Sequence, residues 1–162
     1  MAPVPSDRCE KPVAVYLPNE WIDACPLEDI IVATIRVLLV DDNRAMLAEL
    51  RKELGEEFEI SGTAGNGEDA IRAVLRLDPD VIVLDITMPI MNGLQVAEYV
   101  RDKNARTKIL FLTIHEEPEY ISAAFSSGAS GYVTKRRLAS DLAIAIREVF
   151  GGRHFLSPSL RK

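Results

Sequence analysis

Short apolar runs that end in polar side chains alternate along this chain with stretches of helical periodicity. Residues 81–84, Val-Ile-Val-Leu, are four consecutive apolar positions rich in β-branched types and too short for a helix. Such a run reads as a strand buried on both faces, the kind found in parallel sheets. It stops at Asp85, and a turn punctuated by Pro89 and Gly93 follows. Residues 37–40, Val-Leu-Leu-Val, repeat the design and stop at Asp41 and Asp42. Residues 58–61 predict a further strand with a turn over 62–67, residues 109–112 one ending in Thr113, and residues 131–133 a short one ending near Lys135.

Between these runs the spacing turns helical. Asn43 or Asp42 suits an N-cap for a helix with Leu47, Leu50 and Leu54 on one face and Gly55 as its stop. Ala70, Ile71, Val74 and Leu75 are spaced for burial in a second helix, ended by Asp78-Pro79-Asp80. A third helix is expected from about 94 to 102. A fourth begins at Pro118 and carries Tyr120, Ile121, Ala124 and Phe125; a fifth begins near Leu138 and buries Leu142, Ala145, Ile146 and Val149. Five strand-helix alternations predict an α/β fold: a doubly wound, five-stranded parallel sheet with helices on both faces, in the flavodoxin-like order 2-1-3-4-5.

The chain of 162 residues suits one domain with some residues to spare. Residues 1–34, rich in proline and of mixed charge, are expected to be an extension, with 13–17 in extended conformation; 35–150 form the domain, and 151–162 read as a linker or tail. A net charge of −6 speaks against nucleic acid as a direct partner of this segment, since phosphate binding relies on Lys and Arg. Cys9 and Cys25 lack ligand spacing, and no run has the length of a signal-peptide core or a membrane span. A cytoplasmic protein with no membrane contact is the expectation.

In an open parallel sheet, ligands sit outside the carboxyl ends of the strands, where strand order reverses. Asp41, Asp42 and Asp85 should converge there, with Thr113 and Lys135 on the same rim. Three carboxylates so close would raise one another's pKa above the reference of about 3.9 unless a cation balanced them. Two or three acids and an open face favour Mg²⁺ over Ca²⁺, which takes about six to eight oxygens. Open positions imply a phosphate-bearing substrate, with Lys135 balancing phosphate charge and the Thr113 hydroxyl bonding a phosphoryl oxygen. A carboxylate beside a metal, a lysine and a hydroxyl can itself be the nucleophile, forming an aspartyl phosphate.

These motifs, Val37-Leu-Leu-Val-Asp41-Asp42, Val81-Ile-Val-Leu-Asp85 through Gly93, Leu112-Thr113 and Gly131-Tyr132-Val-Thr-Lys135, resemble the receiver domain of two-component response regulators. The resemblance runs from about 35 to 150. It implies that Asp85 accepts a phosphoryl group from a phosphohistidine on a sensor kinase or phosphotransfer protein. It further implies that Asp42 binds Mg²⁺ directly, that Asp41 does so mainly through water, and that Asp85 and the backbone carbonyl of Thr87 complete the ligands. Thr113 and Tyr132 would be the switch, the ring turning inward as the hydroxyl moves to the phosphoryl group, and the face of helix 4, strand 5 and helix 5 would be remodelled for a partner. A homodimer is also among the expected partnerships, with no face of the domain assigned to it. Met46 and Glu49 become candidates for kinase docking. The segment 151–158 resembles the linker of the transcriptional class, in which a helix-turn-helix DNA-binding domain follows; the implied role is transcription regulation by a phosphoprotein that assists its own phosphorylation and dephosphorylation and is not otherwise an enzyme.

Two positions depart from the family pattern. Arg136 follows Lys135 where many receivers carry proline, and Ile114-His115 follows Thr113 where a small residue is usual; bulk there would narrow access to the acyl phosphate.

Taken singly, each residue has a plainer reading. Asp41 and Asp42 would serve as helix caps, Thr113 as a strand-end hydroxyl, Lys135 as a solvated charge, Tyr132 as a half-buried aromatic on an edge strand, and His115 and His154 as surface histidines. Three rival functions stand beside the switch. A Mg²⁺-dependent phosphohydrolase of the dehalogenase-like type needs an acid two residues past the nucleophile, where Thr87 stands. A flavin carrier needs hydroxyl and glycine donors where Asp41 and Asp42 stand. A binding module that is never phosphorylated would have no use for the complete set.

Overall fold

The computed structural model describes residues 34–161. The expected extended segment 13–17 and both cysteines lie outside the described residues. The order of elements is β1 (Arg36–Val40), α1 (Arg44–Leu54), β2 (Glu59–Ala64), α2 (Gly67–Leu77), β3 (Val81–Leu84), α3 (Gly93–Lys103), β4 (Lys108–Thr113), α4 (Pro118–Ser126), β5 (Gly131–Thr134), α5 (Leu138–Phe150) and β6 (Phe155–Leu156). All strands run parallel in the order β2-β1-β3-β4-β5-β6. The expected doubly wound sheet is present, with a sixth strand added.

The apolar runs become the central strands because every one of their side chains is covered. Val81, Ile82, Val83 and Leu84 are at most 1% exposed, and full burial of such side chains contributes about 1.5–3 kcal/mol each. Alternation sends Ile82 and Leu84 toward one layer, with Val74 of α2, Val96 of α3 and Ala124 of α4. Val81 and Val83 face the other, with Leu50 of α1 and Ile146 of α5. Asn43 caps α1 by accepting from the amides of Ala45 and Met46, and Asn92 forms a capping box with Gln95 at α3.

Three expectations are corrected here. β2 continues through Gly62 to Ala64 instead of turning at residue 62, with a register shift opposite Val37 and Leu38. Gly62 is compatible with this because a Cβ there would lie 2.8 Å from the Leu77 side chain, so glycine lets α2 close onto the strand. In α2 the buried face is Ala70, Ala73 and Val74, while Leu75 is 57% exposed.

The third correction concerns the tail. Residues 155–156, expected in a linker, pair with β5: Phe155 N donates to Ser130 O and Ser157 N to Tyr132 O, both at 3.0 Å. Phe155 is buried, and Ser157 is fully buried with its hydroxyl donating to Asp141 Oδ2 at 2.8 Å. β5 is therefore an interior strand, and Tyr132 is fully buried instead of half-buried on an edge. Among the described residues no helix is long and apolar enough to cross a membrane.

Candidate functional site

Because the strands are parallel, their carboxyl ends open on one rim, and register decides which residues meet there. Val40 of β1 pairs with Leu84 of β3, so Asp41 and Asp85 are the next residues along two adjacent strands. The ladder continues into them, with Asp85 N donating to Val40 O and Asp41 N to Ala64 O, both at 3.1 Å. Asp41 and Asp85 are 2% and 6% exposed, whereas Asp42 lies open to solvent. Each of the three offers a carboxylate oxygen within 4.8 Å of the others. A groove of about 660 Å³ between α1 and α2 leads to Asp41 and Asp42 from outside.

Lys135, one residue past β5, reaches across this rim. Its Nζ donates to Asp85 Oδ2 at 3.0 Å and lies 2.7 Å from Asp41 Oδ2. Burial works against the ammonium, but the hydrogen bonds to Asp41 and Asp85 outweigh it and hold the lysine above its usual pKa. Two nearly buried carboxylates are thus compensated by one cation, while Asp42 has no side-chain partner among the described residues. A hard divalent ion fits this donor set: the atoms are all carboxylate oxygens, clustered, and open to water on the Asp42 side.

The turn after β3 is held by a close approach. Gly93 N donates to Ile86 O at 2.8 Å, and a Cβ on Gly93 would fall 2.1 Å from the backbone oxygen of Asp85. Only glycine lets α3 begin directly against the acidic residue. Ile90 in this turn has φ 71° and a side chain 75% exposed.

Thr113 ends β4 fully buried, and its Oγ1 accepts from the amide of His115 at 3.4 Å. Thr87 is exposed, and its hydroxyl lies 2.9 Å from His115 Nε2. Tyr132 points inward, stacks obliquely near Phe111 at 6.3 Å, and donates its hydroxyl to His115 O at 2.9 Å. Burial, then Glu117 and Asp85, pushes its phenol far above the usual range, so it is a donor at any ordinary pH.

His115 is therefore more than the surface histidine expected. Its ring stacks on Tyr120 at 4.0 Å, hydrogen-bonds the Thr87 hydroxyl at 2.9 Å, and faces Glu117 at 3.9 Å. The same rule that selected Thr113, a polar residue just beyond a strand's carboxyl end, applies to a residue two places further on. His154 is exposed as expected, with its ring edge toward Phe125 at 6.1 Å.

Sheet order and acidic rim together define the flavodoxin-like class of α/β domain with a polar site at the strand ends. The family described as the response regulator receiver domain matches residues 37–147. YvfU of Bacillus subtilis (strain 168), described as an uncharacterized transcriptional regulatory protein, is 40% identical over 128 residues, covering 78% of this chain and 64% of that protein. The chemotaxis protein CheY of Halobacterium salinarum is 37% identical over 114 residues, covering 70% of this chain and 95% of CheY. The crystal structure of a LuxR-family two-component response regulator from Aurantimonas sp. SI85-9A1 aligns with a TM-score of 0.76 at 30% identity, covering 79% of this chain and 93% of that one. The chain belongs to the response regulator receiver domain family. It spans 54–64% of the length of these transcriptional relatives.

Proposed function

We propose that this receiver domain is a phosphorylation-activated switch in which Asp85 accepts a phosphoryl group from a phosphohistidine on a sensor kinase or phosphotransfer protein. The observation that carries the reading is the Lys135 ammonium bridging Asp41 and Asp85 with Asp42 alongside and exposed. Mg²⁺ would be held by Asp42, Asp85 and the backbone carbonyl of Thr87, with Asp41 acting mainly through water. When bound it supplies charge neutralisation and alignment for the transferring phosphoryl group.

The chain's own groups do the rest. Lys135 holds Asp85 through Oδ2, and Oδ1 has no side-chain hydrogen bond among the described residues, which suits it as the attacking oxygen. The new bond joins Asp85 Oδ1 to phosphorus; the bond from phosphorus to the donor's imidazole nitrogen breaks, and that nitrogen keeps the electron pair. Lys135 and the Thr113 hydroxyl are suited to the equatorial oxygens that gain charge. The same groups serve the return step, in which water attacks phosphorus and Asp85 leaves as carboxylate. The chain thus assists both reactions on itself without turning over an outside substrate. The acyl phosphate is read by Thr113 and Tyr132 and passed to a partner through the face of α4, β5 and α5, in transcription regulation.

The test is incubation with a small phosphodonor and Mg²⁺ followed by intact mass. The expected result is a labile adduct of one phosphoryl group, absent in Asp85→Asn. Continuous phosphate release without accumulation would instead indicate a phosphohydrolase, and the absence of any adduct a module that is not phosphorylated.

A further inference from the structure

Thr134 is fully buried, and its hydroxyl is the one buried side-chain oxygen or nitrogen without a hydrogen-bond partner among the described residues. Leaving such a group unpaired costs from about fivefold to about a hundredfold in a folding equilibrium. Valine would fill the same volume without that cost. Thr134 is the register partner of Thr113 across the β4–β5 ladder. Two residues earlier on the same strands, Phe111 and Tyr132 are register partners whose rings lie 6.3 Å apart on one face. Alternation therefore puts the Thr113 and Thr134 side chains on that face too. Thr113 Oγ1 takes instead the amide of His115, at 3.4 Å, beyond the usual range for such a bond.

We propose that Thr134 is a positioning residue for the switch: its O–H donates to Thr113 Oγ1 once the Thr113 hydroxyl turns from the His115 amide to the phosphoryl group on Asp85. Threonine pairs of this kind bond across neighbouring strands, and only side-chain rotation is needed. The unpaired hydroxyl biases the resting form toward the phosphorylated one, because only there does it find a partner. In that form each hydroxyl polarises the next, from Thr134 through Thr113 to the phosphoryl oxygen. The inference rests on the phosphoacceptor reading of Asp85.

The test uses the whole 162-residue chain with beryllofluoride and Mg²⁺ as the phosphoryl analogue. Binding is followed by NMR of threonine methyl groups. In the wild type, the Thr113 and Thr134 signals shift on saturation. Thr134→Val is expected to bind the analogue about tenfold more weakly, and Thr134→Ser, which keeps the hydroxyl, within about twofold of wild type. Equal binding by Thr134→Val overturns the proposal, and so does equal weakening by both variants, which would assign the effect to packing. A measurement independent of any change at 134 is the Thr134 methyl shift in Thr113→Val, read at an analogue concentration that saturates the variant by its Asp85 amide signal: its disappearance supports the relay and its persistence overturns it. Failure of the wild type itself to bind the analogue removes the phosphoacceptor reading and the relay together, an outcome distinct from a defect confined to the position 134 variants.

Discussion

The Tyr132 hydroxyl donates to the backbone carbonyl of His115 at 2.9 Å, tying the middle of β5 to the loop that follows β4. The ring is already inside the protein, so this bond fixes the loop that carries His115. Tyr132→Phe keeps the ring and removes the bond. It is expected to cost about 1 kcal/mol, or about 2–4 °C in Tm for a chain of this size, in calorimetry of the unphosphorylated protein. An unchanged Tm would mean that the loop is held by other contacts.

Asp42 separates metal binding from folding. It is exposed and has no side-chain partner among the described residues, so Asp42→Asn should leave Tm in metal-free buffer unchanged or slightly higher by relieving repulsion among the three acids. Mg²⁺ affinity by calorimetric titration should fall at least about tenfold, since even changes behind the ligands typically cost 10–100-fold. Retention of wild-type affinity would place the ion elsewhere.

The bond between Thr87 and His115 ties the turn two residues past Asp85 to the loop that follows β4. His115→Ala removes this tie and is expected to open the approach of water to the acyl phosphate. Loss of a barrier contribution of about 1 kcal/mol would shorten the lifetime of the acyl phosphate about fivefold, measured by decay of the adduct mass. A longer lifetime would show that the imidazole promotes hydrolysis.

Gly93→Ala tests the close approach beneath the acceptor. The added methyl meets the backbone oxygen of Asp85, which no rotamer can move. The expected cost is at least the 1–3 kcal/mol typical of overpacking, seen as a lower denaturant midpoint together with loss of the phosphoryl adduct. Full stability with a normal adduct would be incompatible with the described geometry.

Asp141 makes the docking of the tail pH-dependent. Asp141 is 4% exposed; burial alone would raise its pKa, but hydrogen bonds from Ser157 and Ser140 and the nearby Arg137 hold it below the usual carboxylate range. A carboxylate with a depressed folded pKa contributes stability that is present above the unfolded value and is lost as pH falls through the folded one. The protection of the Ser157 amide against exchange, corrected for the intrinsic rate at each pH, should therefore fall as pH drops through the depressed carboxylate range in the wild type, and Asp141→Asn should remove that dependence while lowering protection at neutral pH.

Most of the rim was legible in the chain because a buried parallel strand must be apolar throughout, so a run that stops at Asp41, Asp85 or Thr113 marks both an element's end and a polar site. Burial within α2 was less legible, since Leu75 extends the stripe of Ala70, Ile71 and Val74 by spacing alone, yet it is 57% exposed, while Ala73 is buried and Ile71 packs part-buried against the core. The two residues of β6 carry no period, and their pairing depends on Asp141, distant in sequence, receiving Ser157. His115 reads as a plain surface histidine in the sequence because its partners, Thr87 and Tyr120, come from a separate loop and helix that the sequence alone does not bring together.

The hydrogen bond from Ser157 to the carbonyl of Tyr132 sets the heading of the chain as it leaves the sheet. A module fused beyond that point would be mounted at a fixed angle to the phosphoacceptor rim instead of swinging on a tether. Small displacements of β5 would reach such a module as leverage, and cutting the Asp141 anchor would turn a stiff arm into slack rope.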